Sequence, residues 1–192
     1  MFRKRATTIS TWPAWGLMAL MAATRFHHFG DLQTLPDASL AVFFLAGLFV
    51  TNPWLFAFLL VEAGLIDYLA INLGGVSGWC VTPAYLFLLP TYGVMWLGGR
   101  FSRRFKTGEL RGISVVLTVS AGMTLLAFLI SNNSFYFLSG YFDHLSLTDY
   151  FNQVIAYLPR YLTSTITYTS LILAGNWLWR QTMMTPPATS HK

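Results

Sequence analysis

The sequence predicts an all-α, polytopic membrane protein with six transmembrane helices. Three observations lead there. Of its 192 residues, 55% are hydrophobic and only 10% are charged, where a soluble domain carries about 25% charged residues. The apolar residues form six stretches, at about 11–28, 38–51, 53–72, 83–98, 112–131 and 150–179. The basic residues flank these stretches instead of clustering in a nucleic-acid-binding patch. A soluble fold of this size cannot bury so much apolar surface, whereas lipid solvates it directly. The reading is a single transmembrane domain over 1–192, with no nucleic-acid partner.

The first stretch follows a basic start, as in a signal peptide. No Ala-x-Ala cleavage pattern is present and Trp12 and Trp15 suit an interfacial belt, so it reads as a retained span. The second is short and ends at Asn52-Pro53, a helix-breaking pair, so residues 38–72 hold either one long span or two shorter ones. Charge favours two. With six spans and a cytoplasmic N-terminus, Arg3, Lys4, Arg5, Arg100, Arg103, Arg104, Lys106, Arg111, Arg180 and Lys192 all fall on the cytoplasmic side. Only Arg25 and Arg160 remain outside, together with Asp31, Asp37, Asp143 and Asp149. Five spans would put the basic 99–111 loop opposite the basic N-terminus, against the positive-inside rule. Both termini are therefore expected in the cytoplasm, and the tail after Trp179, with Pro186-Pro187, is expected to be disordered.

The informative residues gather on the outer side. The third-to-fourth connection reads NLGGVSGWCVTP over 72–83, and 132–149 reads as a long aromatic loop. Cys80 is the sole cysteine, which excludes an intramolecular disulfide and any multi-cysteine zinc site. Its plain reading is a small buried hydrophobe. Its context allows another: the glycines before it let backbone approach a ligand, and a position near a helix N-terminus lowers a thiol pKa. One thiolate can give a single axial ligand to a metal that arrives inside a macrocycle. His27 and His28 read as interfacial residues or as ligand or proton-relay groups, at most one of them facing a central pocket. Glu62 and Asp67 lie inside the third span, where acids are costly and read either as functional or as interhelical hydrogen-bonding groups. Tyr85 and Tyr92 share one face of the fourth span, with packing as the default role. Ala19 and Ala23 form a small-x-x-x-small pair that permits close helix approach.

Six short spans, the alanine pair and an outward ligand face resemble the substrate-binding S-components of energy-coupling-factor (ECF) vitamin transporters. Within that group the segment GGVSGWCVTPAYLFLLPTYGVMW over 74–96, with Phe26-His27-His28-Phe29 upstream, is similar to the BtuM family of cobalamin transporters. The resemblance implies cobalamin (vitamin B12) uptake across the bacterial inner membrane. It implies Cys80 as axial ligand of the cobalt, and His28, Asp67 and Tyr85 as pocket residues. Strong thiolate donation would weaken the bond on the opposite side of the metal, which predicts slow loss of cyanide from cyanocobalamin and makes Cys80 a candidate catalytic residue. No P-loop is present, so the chain cannot hydrolyse ATP itself and works either alone or with an ECF coupling module. The rival readings are a transporter for another vitamin with Cys80 structural, a membrane-embedded enzyme, and a structural membrane subunit.

Overall fold

A computed structural model describes residues 12–26 and 35–184. Among them the secondary structure is entirely helical. The helices are α1 (Trp12–Arg25), α2 (Ser39–Phe49), α3 (Trp54–Asn72), α4 (Leu88–Ser102), α5 (Leu110–Leu138), α6 (Leu147–Val154) and α7 (Leu158–Met184), with 3-10 turns at Gly78–Cys80, Pro83–Phe87 and Ile155–Tyr157.

Residues 38–72 form two helices. The backbone turns extended at Val50, and Pro53 precedes the first turn of α3. Three boundaries differ from the expected ones. Residues 83–87 wind as a 3-10 turn, and α4 proper begins at Leu88 and runs through Gly98-Gly99 to Ser102. The segment 132–138, expected to be loop, continues α5, because Asn132 and Asn133 turn their amides back onto the carbonyls of Phe128 and Leu129. The stretch 150–179 is two helices: α6, whose Ser146 cap and Asp149 bond reciprocally, and α7, separated by the 3-10 turn before Pro159.

The core is built around α2, nine of whose eleven residues are buried. It packs chiefly on α4, which runs parallel to it, and also meets α1, α3 and α7. Glycines set the α2–α4 spacing. A Cβ at Gly47 would lie 2.1 Å from the Trp96 carbonyl oxygen, and one at Gly99 would lie 1.9 Å from that of Phe44. No side chain larger than hydrogen permits this crossing. The Phe43 ring stacks on Tyr92 at 4.2 Å between centroids. Ala19 and Ala23, by contrast, face outward from α1.

Two helices are long and apolar enough to cross a membrane, α3 with mean hydropathy 1.9 and α5 with 2.3. The others miss for identifiable reasons: α1, α2, α4 and α6 are short, and the first half of α7 carries Ser, Thr and Tyr at every position from Thr163 to Ser170 except Ile166. The apolar residues of α3 also face outward. Trp54, Phe58, Val61, Leu65 and Tyr68, spaced four and three apart, are all at least 55% exposed. That is one continuous stripe along the helix, the reverse of the pattern of a helix facing water.

Candidate functional site

At the end of the bundle formed by the C-termini of α1, α3 and α5 and the N-termini of α2, α4 and α7, the sequence places two unlike charges in an apolar setting. Arg25 ends α1 and Asp67 sits within α3; both are buried. A buried charge is tolerated only when paired and fully hydrogen-bonded. The pairing here is bidentate, Nε to Oδ1 at 2.8 Å and Nη2 to Oδ2 at 2.7 Å. Nη1 donates to Ser39 Oγ at 2.9 Å and to the Tyr92 hydroxyl at 2.6 Å. Ser39 donates in turn to Asp37 Oδ1 at 2.6 Å. The Tyr85 hydroxyl donates to Asp67 Oδ2 at 2.7 Å. This network ties α1, α2, α3, α4 and the 3-10 turn before α4 together. Tyr168 of α7 reaches the same end, donating to the Pro36 carbonyl at 2.9 Å.

Cys80 lies on the segment joining α3 to α4, above this network. The segment's local geometry follows from its sequence. Gly75 adopts φ of +67°, which favours glycine. A Cβ at Gly74 would meet the Ala70 carbonyl oxygen at 2.8 Å and the Phe26 ring at 2.9 Å, so glycine here permits close approach to the end of α3 and to Phe26. Ser77 caps the turn holding Cys80, accepting from the Trp79 amide at 3.3 Å, and Thr82 caps the turn holding Tyr85 in the same way. Trp79 is fixed by an aromatic group from the C-terminal end of α5 and the loop after it: it stacks on Tyr141 at 4.9 Å and meets Phe135 edge-on at 5.1 Å. Tyr136 secures that loop by donating to the Leu145 carbonyl at 2.7 Å.

The thiol is half-buried, and its acidity differs from the expectation. Cys80 ends its 3-10 turn instead of beginning a helix, so it gains no helix-dipole stabilisation. Burial, and then the nearby negative charge of Asp67, push the thiol pKa up instead of down. No described residue hydrogen-bonds the thiol.

The predicted site residues therefore divide. Asp67, Tyr85 and Cys80 come together. His28, like His27, lies outside the described residues. Glu62 is on the same helix as Asp67 but outside the network, and its Oε2 is buried with no hydrogen-bond partner among the described residues. Tyr92 shares a face with Tyr85 and also contributes its hydroxyl. Arg25 and Ser39 were not anticipated. The signal for Arg25 was available, since a lone acid inside one span calls for a lone cation near the end of another. Among the described residues no group of three or more His, Cys, Asp or Glu side chains could hold a metal ion. A hollow of about 460 Å³ at this end lies beside Phe87 and the last turns of α5, away from Cys80. No protein-family model matches the chain, and no curated protein does.

Proposed function

We propose that this chain is an inner-membrane protein with six spans, formed by α1–α5 and α7, that binds cobalamin at its Cys80 end and carries it into the cell. The observation that carries the reading is the convergence of Cys80, Asp67 and Tyr85 on one end, with the aromatic group of Trp79, Phe135 and Tyr141 beside Cys80. A corrin has two broad apolar faces and a rim of amides, which suit aromatic and polar neighbours respectively. Cys80 offers one soft ligand to a metal, and a corrin ring brings its own equatorial ligands. The outward apolar stripe of α3 supports the membrane setting. The shortness of α2 is compatible with it, because a helix wrapped by its neighbours does not have to match the bilayer thickness.

In this reading the cobalt displaces the thiol proton. The sulfur then takes one axial position with its electron pair, and the benzimidazole base leaves that position. Cyanide on the opposite face is weakened and departs as the anion with the bonding pair, water taking its place. The cobalt oxidation state does not change. Asp67 orients Tyr85 and neutralises Arg25; it is a positioning residue.

Titration of purified protein with cyanocobalamin, followed by visible spectroscopy, tests the reading. The expected result is a shifted spectrum that Cys80→Ala and Cys80→Ser abolish, alcohol being a far harder and weaker ligand than thiolate. Wild-type spectra and uptake in Cys80→Ala would return the sulfur to a packing role, and binding of a different vitamin would favour the rival transporter.

A further inference from the structure

The opposite end of the bundle holds a second site. A groove of about 580 Å³ opens between the last turn of α2, the α4–α5 connection and the last turns of α7. Four cations line it, Arg103, Arg104, Lys106 and Arg180, against one acid, Glu109. Arg103 is committed to the fold: its guanidinium donates to the carbonyls of Gly47, at 2.8 Å, and Val50, capping the end of α2. The other three remain exposed. Arg104 lies flat over Phe101 at 3.9 Å with its Nε on the Phe101 carbonyl, and Lys106 stands 3.5 Å from Glu109. Arg180 pairs with no acid among the described residues. Glu109 begins the 29-residue α5 without a side-chain cap, so the positive end of that helix adds to the field. The floor is apolar, with Leu48, Phe49 and Trp177.

We infer that this groove binds the phosphate headgroup of an anionic membrane phospholipid. The inference rests on the membrane setting proposed above but not on cobalamin. Three exposed cations around an apolar floor match a group that is anionic at one end and hydrocarbon at the other. The apolar surface continues outward at Leu110, Leu178 and Trp179, each more than half exposed, where an acyl chain would lie. A soluble phosphate would use the cations and leave Phe49 and Trp177 without a role. Basic pockets between spans on the cytoplasmic side of a membrane recognise anionic headgroups on this principle.

The test uses the full chain in neutral detergent, with lipid adducts counted by native mass spectrometry. Phosphatidylglycerol should bind in preference to phosphatidylcholine. Arg104→Gln, Lys106→Gln and Arg180→Gln should each weaken phosphatidylglycerol binding about fivefold, whereas Arg180→Lys and Arg160→Gln, the latter at the other end, should leave it unchanged. All five variants should keep the wild-type melting temperature in phosphatidylcholine. Equal retention of the two lipids, or full phosphatidylglycerol binding after all three neutralisations, overturns the inference. Displacement of the lipid by millimolar glycerol phosphate also overturns it, in favour of a soluble anion. Resistance of the membrane-bound chain to carbonate extraction reports separately on the membrane setting, so failure of that reading is distinguishable from failure of the lipid site.

Discussion

Asp67 accepts three hydrogen bonds from Arg25 and Tyr85, and that fixes what its substitution does. Asp67→Ala removes the carboxylate that holds the buried Arg25 guanidinium in a bidentate pair, and removing one member of a buried ion pair costs about 3–5 kcal/mol. Thermal unfolding in detergent should show that loss, so weaker cobalamin binding in this variant would not by itself place Asp67 on the ligand. Replacing both partners, Arg25→Met with Asp67→Leu, should recover most of the stability. A double variant as unstable as Asp67→Ala would rule out the pairing as the source of the loss. Tyr85→Phe is the cleaner probe of the site, because Arg25 still satisfies the carboxylate and the cost is about 1 kcal/mol. The thiol gives a pH prediction. Its pKa is raised, so at neutral pH the free thiol is protonated, and on the proposed reading cobalt ligation would release a proton. Affinity should therefore rise with pH, by about tenfold per unit, until the free thiol itself ionises. Calorimetric affinities that stay flat from neutral pH upward in wild type, or that rise equally in Cys80→Ala, would separate the pH effect from the sulfur.

Among the elements, the α2–α4 crossing depends on atoms that are absent. Gly47→Ala or Gly99→Ala has to push a methyl into the carbonyl of the facing helix, and such overpacking costs about 1–3 kcal/mol or more. Gly122→Ala in α5 meets nothing within 4 Å and should be neutral, or more stable by up to about 1 kcal/mol, since alanine is the better helix former. Melting temperatures of the three variants decide the matter, and equal values would mean that α2 and α4 can separate without loss. The sequence disclosed such elements unevenly. Asn52-Pro53 made the α2–α3 break legible, and the apolar runs located α3 and α5. The extension of α5 to Leu138 was hidden because Asn132, Asn133 and Ser134 read as loop formers, yet each turns its side chain back onto a carbonyl of its own helix. At the site, Asp67 stood out as an acid in an apolar run, whereas Arg25 was masked by its position at a span end, where arginine is ordinary. The raised thiol pKa was beyond sequence, because it depends first on the burial of the thiol in the folded loop and then on the nearby Asp67 charge.

For the whole molecule, the proposed membrane setting turns the distribution of charge into a prediction of orientation. Arg100, Arg103, Arg104, Lys106, Arg111 and Arg180 gather at one end of the bundle, whereas Asp37, Asp67, Asp143 and Asp149 lie at or towards the other. On the proposed membrane reading, the positive-inside rule puts the basic end in the cytoplasm and the Cys80 end outside. Single-cysteine labelling in intact cells reads this directly, in a Cys80→Ser background so that the native thiol is silent. The basic end needs a careful choice of position. Ser102 is fully buried, its hydroxyl on the Gly98 carbonyl, and a cysteine there would escape any reagent whichever way the chain faces. Glu109 and Asp143 are exposed at the two ends and avoid that ambiguity. An impermeant maleimide should label Asp143→Cys in intact cells and Glu109→Cys only after the cells are opened. Labelling of Glu109→Cys from outside would invert the bundle, put Cys80 in the cytoplasm and remove the basis for uptake. Labelling of both from outside would mean that α5, which joins the two positions, does not cross the membrane, and the lipid site at the basic end would fall with the six-span reading.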